Sequence, residues 1–217
     1  MTILNLYACL GGNRYKWDEV AIQAGIEIEV TAVELDAELA KLYQERFPND
    51  KVIIADAHQY LLDHYKDFDF VWSSPPCPSH SRARFARKET TISVYPDLKL
   101  YEEVLFLENY FNGKYVVENV IPYYEPLIPA QKRGRHLYWT NFILPNELNE
   151  RKSSIMEGKN EVERWCEFHD YNFRQYKGEQ RLDKVARNLV DYEAGKTIFE
   201  IALGIVNKKN TNQMELF

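Results

Sequence analysis

The chain has 217 residues, a formal net charge of −6, and a composition that is 45% hydrophobic and 14% aromatic. That length and composition suit one folded domain with a full core and exclude a disordered chain. No run of about 18 apolar residues occurs, which excludes a membrane-spanning helix, and the negative balance excludes a surface coated throughout in phosphate-binding cations.

Ile3 to Ala8 reads as a buried strand running into Cys9-Leu10-Gly11-Gly12. Two glycines between that strand and the helical stretch Arg14 to Ala24 make a tight turn where a ligand can approach the backbone. Neither full phosphate signature, G-x-G-x-x-G or G-x-x-x-x-G-K-[ST], is present. The next strand, Ile28 to Val33, ends in Glu34-Leu35-Asp36. Glu34 lies about 20 residues past the glycine turn, at the strand tip where open α/β sheets bind ribose hydroxyls. Asp36 suits the N-cap of a helix from Ala37 to Phe47. The third strand, Val52 to Ala55, ends in Asp56, placed either to accept from an adenine amino group or to cap the short helix around Gln59 to Tyr65.

Phe68 to Ser73 is a hydrophobic strand that runs into Ser74-Pro75-Pro76-Cys77-Pro78. Paired prolines can neither continue a ladder nor enter a helix interior, so the exit is stiff and extended. It presents Cys77 just past a strand end, where a fixed thiol suits a nucleophile; a small buried hydrophobe is the alternative. Arg82, Arg84, Arg87 and Lys88 follow within a long polar segment, Ser79 to Pro96, which reads as a lid with phosphate-facing cations. A helix from Leu98 to Tyr110 carries Leu98, Tyr101 and Leu105 on its apolar face. It leads to the strand Lys114 to Val117 and to Glu118-Asn119-Val120. A proline-punctuated loop then reaches Gln131-Lys132-Arg133-Gly134-Arg135, and His136 to Leu144 reads as a strand pair. This alternation implies a doubly wound α/β sheet.

Pro145 to Lys184 is polar and weakly periodic, as expected of a small substrate-facing insertion. The last helix, Tyr192 to Val206, carries Ile198, Ile201, Ala202 and Ile205 on one face. Its Gly195-Lys196-Thr197 looks like the tail of a phosphate loop, but residue 190 is Val190 and no strand precedes it, so a triphosphate site is rejected. Cys9, Cys77 and Cys166 are widely spaced and odd in number, which implies no disulfide framework. Cys166 and His169 without a second pair imply no metal. With no basic n-region ahead of an apolar stretch, a cytoplasmic protein is expected; it is also expected to be a monomer.

The order of these motifs resembles the DNA cytosine-5 methyltransferase family across nearly the whole length. Leu6-Tyr7-Ala8-Cys9-Leu10-Gly11-Gly12 is similar to its first motif, Glu34-Leu35-Asp36 to its E-x-D step, and Asp56 to its adenine-contacting acid. Pro75-Pro76-Cys77 resembles the nucleophile motif, Glu118-Asn119-Val120 the E-N-V, and Gln131, Arg133 and Arg135 the Q-x-R-x-R. Arg187-Asn188-Leu189-Val190 resembles the G-N-x-V element before the last helix. Departures are Asn5 for the leading acid, Tyr7 for Phe, and Cys9 and Arg187 for Gly.

The resemblance implies a Rossmann-like S-adenosylmethionine-dependent methyltransferase, α/β with a mostly parallel sheet and helices on both faces. It implies a single domain over 1–217, with 145–186 a small insertion in place of a target-recognition domain. The donor, S-adenosylmethionine, is expected at Tyr7, Ala8, Gly11, Gly12, Glu34, Leu35, Asp56, Ala57, Pro75, Asn188 and Val190. DNA is expected at Ser81, Arg82, Arg84, Arg87, Lys88 and Gln131, with RNA an alternative acceptor and a further partner a source of specificity. Catalysis is expected from Cys77, Glu118, Arg135 and Arg133. Cytosine C5 is too weak a nucleophile to take a methyl group unaided, so a thiolate must add at C6 while an acid, Glu118, faces N3. Arg135 holds O2, Arg133 supports the loop, and neighbouring cations favour the Cys77 thiolate. The target base must be flipped out of a duplex. Ser74-Pro75-Pro76 also resembles the S-P-P-Y of exocyclic-amine methyltransferases, and the altered first motif leaves a non-catalytic binder as a third reading.

Overall fold

The computed structural model describes residues 1–82, 95–149 and 161–205; Arg84, Arg87 and Lys88 lie outside them. A seven-stranded sheet has the order β3-β2-β1-β4-β5-β7-β6. The strands are β1 (Thr2–Leu6), β2 (Glu29–Glu34), β3 (Lys51–Ile54), β4 (Phe70–Ser73), β5 (Lys114–Val120), β6 (Gln131–Arg133) and β7 (His136–Thr140). Strands β1 to β5 pair in parallel, and β7 enters antiparallel between β5 and β6. The chain moves outward from β1 to β3, then returns to place β4 on the other side of β1. That reversal opens a crevice past the ends of β1 and β4, where ligands of such sheets sit.

Both faces of the central strands are apolar, as a doubly covered parallel sheet requires. On one face Ile3, Val30, Phe70, Trp72, Val116 and Tyr138 pack against α1 (Trp17–Ala24) and α7 (Tyr192–Ala202) through Trp17, Val20, Ile198 and Phe199. On the other, Leu4, Leu6, Val71, Val117, Leu137 and Trp139 meet Leu61 of α3 (Ala57–His64) and Leu100, Tyr101, Val104 and Leu107 of α4 (Lys99–Tyr110). The period-2 switch between neighbours is what divides the two clusters.

Three sequence expectations shift. The buried stripe of α4 is Leu100, Tyr101, Glu103, Val104 and Leu107, whereas Leu98 and Leu105 are exposed. The helix therefore sits rotated from the expected face, because a carboxylate occupies a core position. The strand pair is β6 with β7, Lys132 opposite Leu137, and β7 stops at Thr140. The region expected to be weakly periodic contains α5 (Glu161–His169) and α6 (Leu182–Arg187). Trp165, Phe173, Tyr176, Val185 and Leu189 pack there on Cys9, Leu10 and on Leu39 and Leu42 of α2 (Ala37–Arg46). This lobe thus lays its apolar side on the first-motif loop.

Beneath the β1 exit runs a buried polar network. Asn13 Nδ2 donates to Asn5 Oδ1 at 2.8 Å. Arg14 clasps Asp50 through Nε and Nη2 at 3.0 and 2.9 Å, and the Tyr43 hydroxyl donates to the same carboxylate at 2.8 Å. Two glycines permit contact of the first loop with the C-terminal segment. A Cβ on Gly12 would lie 2.3 Å from the Val190 carbonyl oxygen, and one on Gly195 2.4 Å from that of Asn13. Gly195 is therefore a close-packing position and no part of a phosphate loop. Gly12→Ala is expected to destabilise the chain by about 1–3 kcal/mol, the usual cost of overpacking, measurable by urea denaturation; an unchanged midpoint would contradict that contact.

Candidate active site

The parallel strands end together, so the segments that follow them converge on the crevice. After β1 the backbone enters the left-handed region at Tyr7 (φ 54°) and Cys9 (φ 47°), neither of them glycine, and again at Gly11 (φ 67°). Such turns are held by contacts around them. Ala8 N–H donates to Val33 O at 3.0 Å, Gly11 N–H to Ala8 O at 2.8 Å, and Cys9 N–H to Glu34 Oε2 at 2.8 Å. Glu34 Oε1 also accepts from Asp36 N–H at 2.9 Å. Burial raises the Glu34 carboxyl above its ordinary range, partly countered by these N–H groups. The carboxylate keeps acceptor capacity beyond these N–H groups.

Asp36 caps α2 through Glu38 and Leu39 N–H, and its other oxygen accepts from Tyr176 OH and Gln180 Nε2 at 3.1 and 2.9 Å. Leu35 and Ile54, at neighbouring strand ends, are 69% and 60% exposed. Of the two readings open for Asp56, the cap is present: its Oδ1 accepts from Gln59 N–H at 2.9 Å. Ala8, Ala57 and Pro75 are buried, Val190 closes against Gly12, and Asn188 is exposed.

Past β4, Pro75 is fixed by Asn119, whose Nδ2 donates to the Pro75 carbonyl at 2.9 Å while its Oδ1 accepts from Val120 N–H at 2.9 Å. The amide of the β5 motif thereby stitches the cysteine loop to the strand that carries Glu118. The Cys77 carbonyl accepts from His80 and Ser81 N–H, both at 3.0 Å, which rolls the chain into a turn. His80 is buried with its Nδ1 2.5 Å from Tyr124 OH, and Tyr123 N–H donates to His80 O. Cys77 itself is half-buried. Burial pushes its thiol up, the Glu118 carboxylate adds to that, and Lys184 of α6 pulls weakly down. Among the described residues the Glu118 carboxylate is the larger charge influence on the thiol; Arg84, Arg87 and Lys88 lie outside them.

Alkylation of Cys77 by iodoacetamide is therefore expected to rise with pH to a midpoint above the ordinary thiol value of about 8.5, and to fall back toward it in Glu118→Gln. Peptide mass spectrometry separates Cys77 from Cys9 and Cys166; a midpoint at or below the free-thiol value contradicts the assignment.

Glu118 is 8% exposed in β5 with His136 Nε2 3.7 Å from its Oε1. Arg135 sits in the β6–β7 turn, its carbonyl accepting from Ile121 N–H at 3.3 Å. Arg133 donates to the carbonyls of Leu144 (2.6 Å) and Pro145. Gln131 donates to Thr140 Oγ1 and Phe142 O and accepts from Leu144 N–H. These side chains anchor the segment after β7; loop support was expected of Arg133 and DNA contact of Gln131. Arg82 Nε donates to Pro122 O at 2.9 Å, and Ser81 pairs with Pro122. Asp97 N–H reaches Ser79 Oγ at 3.1 Å, which joins the two ends of the expected lid at its base.

The sequence reading missed Asn119 as the link between motifs, Lys184, His136 and Glu103. For Glu103 a signal existed: an acid at helical spacing from Leu100, Val104 and Leu107 lies on the apolar stripe.

A model of the family described as C-5 cytosine-specific DNA methylase matches residues 1–120. Among solved structures, a DNMT2 mutant from Spodoptera frugiperda is 22% identical over 55% of this chain and 35% of that one, TM-score 0.38. The Entamoeba histolytica methyltransferase EhMeth is 13% identical over 55% and 38%, TM-score 0.38. TrmN from Thermus thermophilus is 16% identical over 55% and 33%, TM-score 0.37. The match thus spans about a third of each of those longer chains. No curated protein matches. Among the described residues there is no metal-ligating group of three or more side chains and no helix long and apolar enough to cross a membrane.

Proposed function

The chain belongs to the C-5 cytosine-specific DNA methylase family, and on that premise we propose that it methylates C5 of cytosine in DNA with S-adenosylmethionine as donor. The observation that carries the reading is the Asn119–Pro75 hydrogen bond, which holds the cysteine loop and the Glu118 strand end together at the mouth of the crevice. The fold is the Rossmann-like methyltransferase α/β sheet, and we read the chain as one such unit with 161–189 packed onto its donor side.

The crevice fits the donor. Glu34 offers two carboxylate oxygens, with acceptor capacity left beyond Cys9 and Asp36 N–H, to a ribose diol. Leu35 and Ile54 offer exposed apolar surface for a purine, and the tight backbone at Gly11 and Gly12 admits the amino-acid end. S-adenosylmethionine supplies an electrophilic methyl group. This chain's residues prepare the acceptor. Cys77 Sγ, as thiolate, bonds to C6 of a flipped cytosine while Glu118 gives a proton at N3, so that C5 becomes the nucleophilic carbon. Once C5 carries the methyl group, N3 returns its proton to Glu118, the C5 proton passes to solvent water, the C5–H electron pair reforms the C5–C6 bond, and Sγ departs as thiolate. Arg135 stands at the β6–β7 turn to meet O2. Because the thiol is raised, loss of its proton on base binding is the step the site must drive.

Incubation of the full chain with methyl-labelled donor and either duplex DNA or structured RNA, followed by nucleoside mass spectrometry, tests this. 5-Methyldeoxycytidine is the expected product. 5-Methylcytidine from RNA alone moves the substrate, N4- or N6-methyl products overturn the C5 mechanism, and donor binding without any product favours the non-catalytic binder.

A further inference from the structure

Glu103 is fully buried on the apolar stripe of α4, and the proposed chemistry does not use it. Three donors from three elements converge on its carboxylate. Tyr7 OH donates to Oε1 at 2.6 Å, Ser73 Oγ to Oε2 at 2.5 Å, and His58 Nδ1 to Oε1 at 3.1 Å. These are the first residue past β1, the last of β4 and the second of α3, so one side chain ties together the ends that border the crevice. Around it, His58 Nε2 lies 3.5 Å from Glu102 Oε2, and Lys99 Nζ 3.8 Å from Asp56 Oδ2.

Tyr7 is where this anchor matters most. Its φ of 54° places a bulky residue in the left-handed region, two positions before Cys9 at 47°. A side chain other than glycine stays there only when its surroundings hold it. The Tyr7 ring reaches down from the loop, and its hydroxyl ends on Glu103. Burial and the carboxylate together push the Tyr7 phenol well above its ordinary range, so it remains a donor at any working pH. Phenylalanine at this position, as in the family's first motif, has no hydroxyl to anchor, so the tie belongs to this chain's departure from that motif.

We propose that Glu103 is a positioning residue for the methyl donor: through the Tyr7 hydroxyl it keeps the strained β1 exit in the backbone form that binds S-adenosylmethionine. The inference rests on the donor reading above and names a group that never touches the donor. Glu103→Gln, Tyr7→Phe and the double variant in the full chain test it, with donor affinity by titration calorimetry and steady-state rates on the nucleic-acid substrate. Loss of a hydrogen bond to a charged group predicts donor binding weaker by about tenfold in each single variant. The double variant should be no weaker than the worse single, because both remove one link. The rate at saturating donor should stay within about threefold of the unaltered chain, so that the defect lies in the donor KM. If Glu103→Gln does not fold, Tyr7→Phe still carries the test, since Glu103 keeps Ser73 and His58. Affinities within about twofold of the unaltered chain, additive losses in the double variant, or kcat and affinity falling together with melting temperature overturn the proposal alone. No donor binding by the unaltered chain overturns both the proposal and the donor reading.

Discussion

Cys77→Ser is expected to reduce methyl transfer by at least about 10³-fold, a loss of about 4 kcal/mol of transition-state stabilisation, while donor binding stays within about twofold. Serine matches the thiol in size and keeps the turn in which the residue 77 carbonyl accepts from His80 and Ser81 N–H, so folding is preserved. What changes is the nucleophile: a hydroxyl has no useful anion near neutral pH. Glu118 stands close enough to raise the thiol, and the same carboxylate disfavours an alkoxide still more. Single-turnover assays with labelled donor read the chemical step and calorimetry reads the donor. Turnover within tenfold of the unaltered chain would remove Cys77 from the mechanism.

Asp50→Ala is expected to cost about 3–5 kcal/mol of stability, the usual penalty for stranding one partner of a buried ion pair, and to lower the melting temperature by on the order of 10 °C. Arg14 and Asp50 are 3% and 5% exposed, and Asp50 takes both guanidinium bonds and the Tyr43 hydroxyl. Without it Arg14 keeps Asp18, whose side chain is 61% exposed and a weak substitute. The pair is costly to break without being a large net source of stability. The double replacement Arg14→Met with Asp50→Leu is therefore expected to recover much of the loss. Thermal and urea denaturation check both; a single-variant loss below about 1 kcal/mol contradicts a dehydrated pair. The network touches Asn5 through Tyr43 and Asn13, so it also supports the floor of the first-motif loop.

That loop shows how far local pattern carried. Strand–glycine–helix, an acid at the next strand tip and paired prolines before a cysteine are short-range signatures, and each element they imply is present close to its expected bounds. Asn5, in place of the family's acid, looked like a defect in the sequence. In the fold it accepts from Asn13 and joins a buried polar chain, a neutral amide suited to a place where Asp50 already balances Arg14.

Elsewhere the residue type was legible and its partners were not. Gln131 and Arg133 sit in a recognisable motif, yet their partners lie 9 to 13 residues downstream across the β7 turn, and a flexible side chain's choice among carbonyls leaves no mark in spacing. Lys184 approaches Cys77 from α6, and the apolar side of α5 and α6 meets Cys9 and Leu10. Those contacts follow from where a polar, weakly periodic segment docks.

Order along the chain was sufficient to specify the alternating sheet and the crevice at its reversal, and the family resemblance its motifs carry implied the donor class. Periodicity and turn chemistry act between near neighbours and are written directly in residue types. Contacts between distant segments set the rest: the raised Cys77 thiol, the Asn119 tie to Pro75, the rotated face of α4 and the Glu103 junction. Burial and a carboxylate's donors come from residues tens of positions apart, so their effect exists only once the strands have brought those positions together.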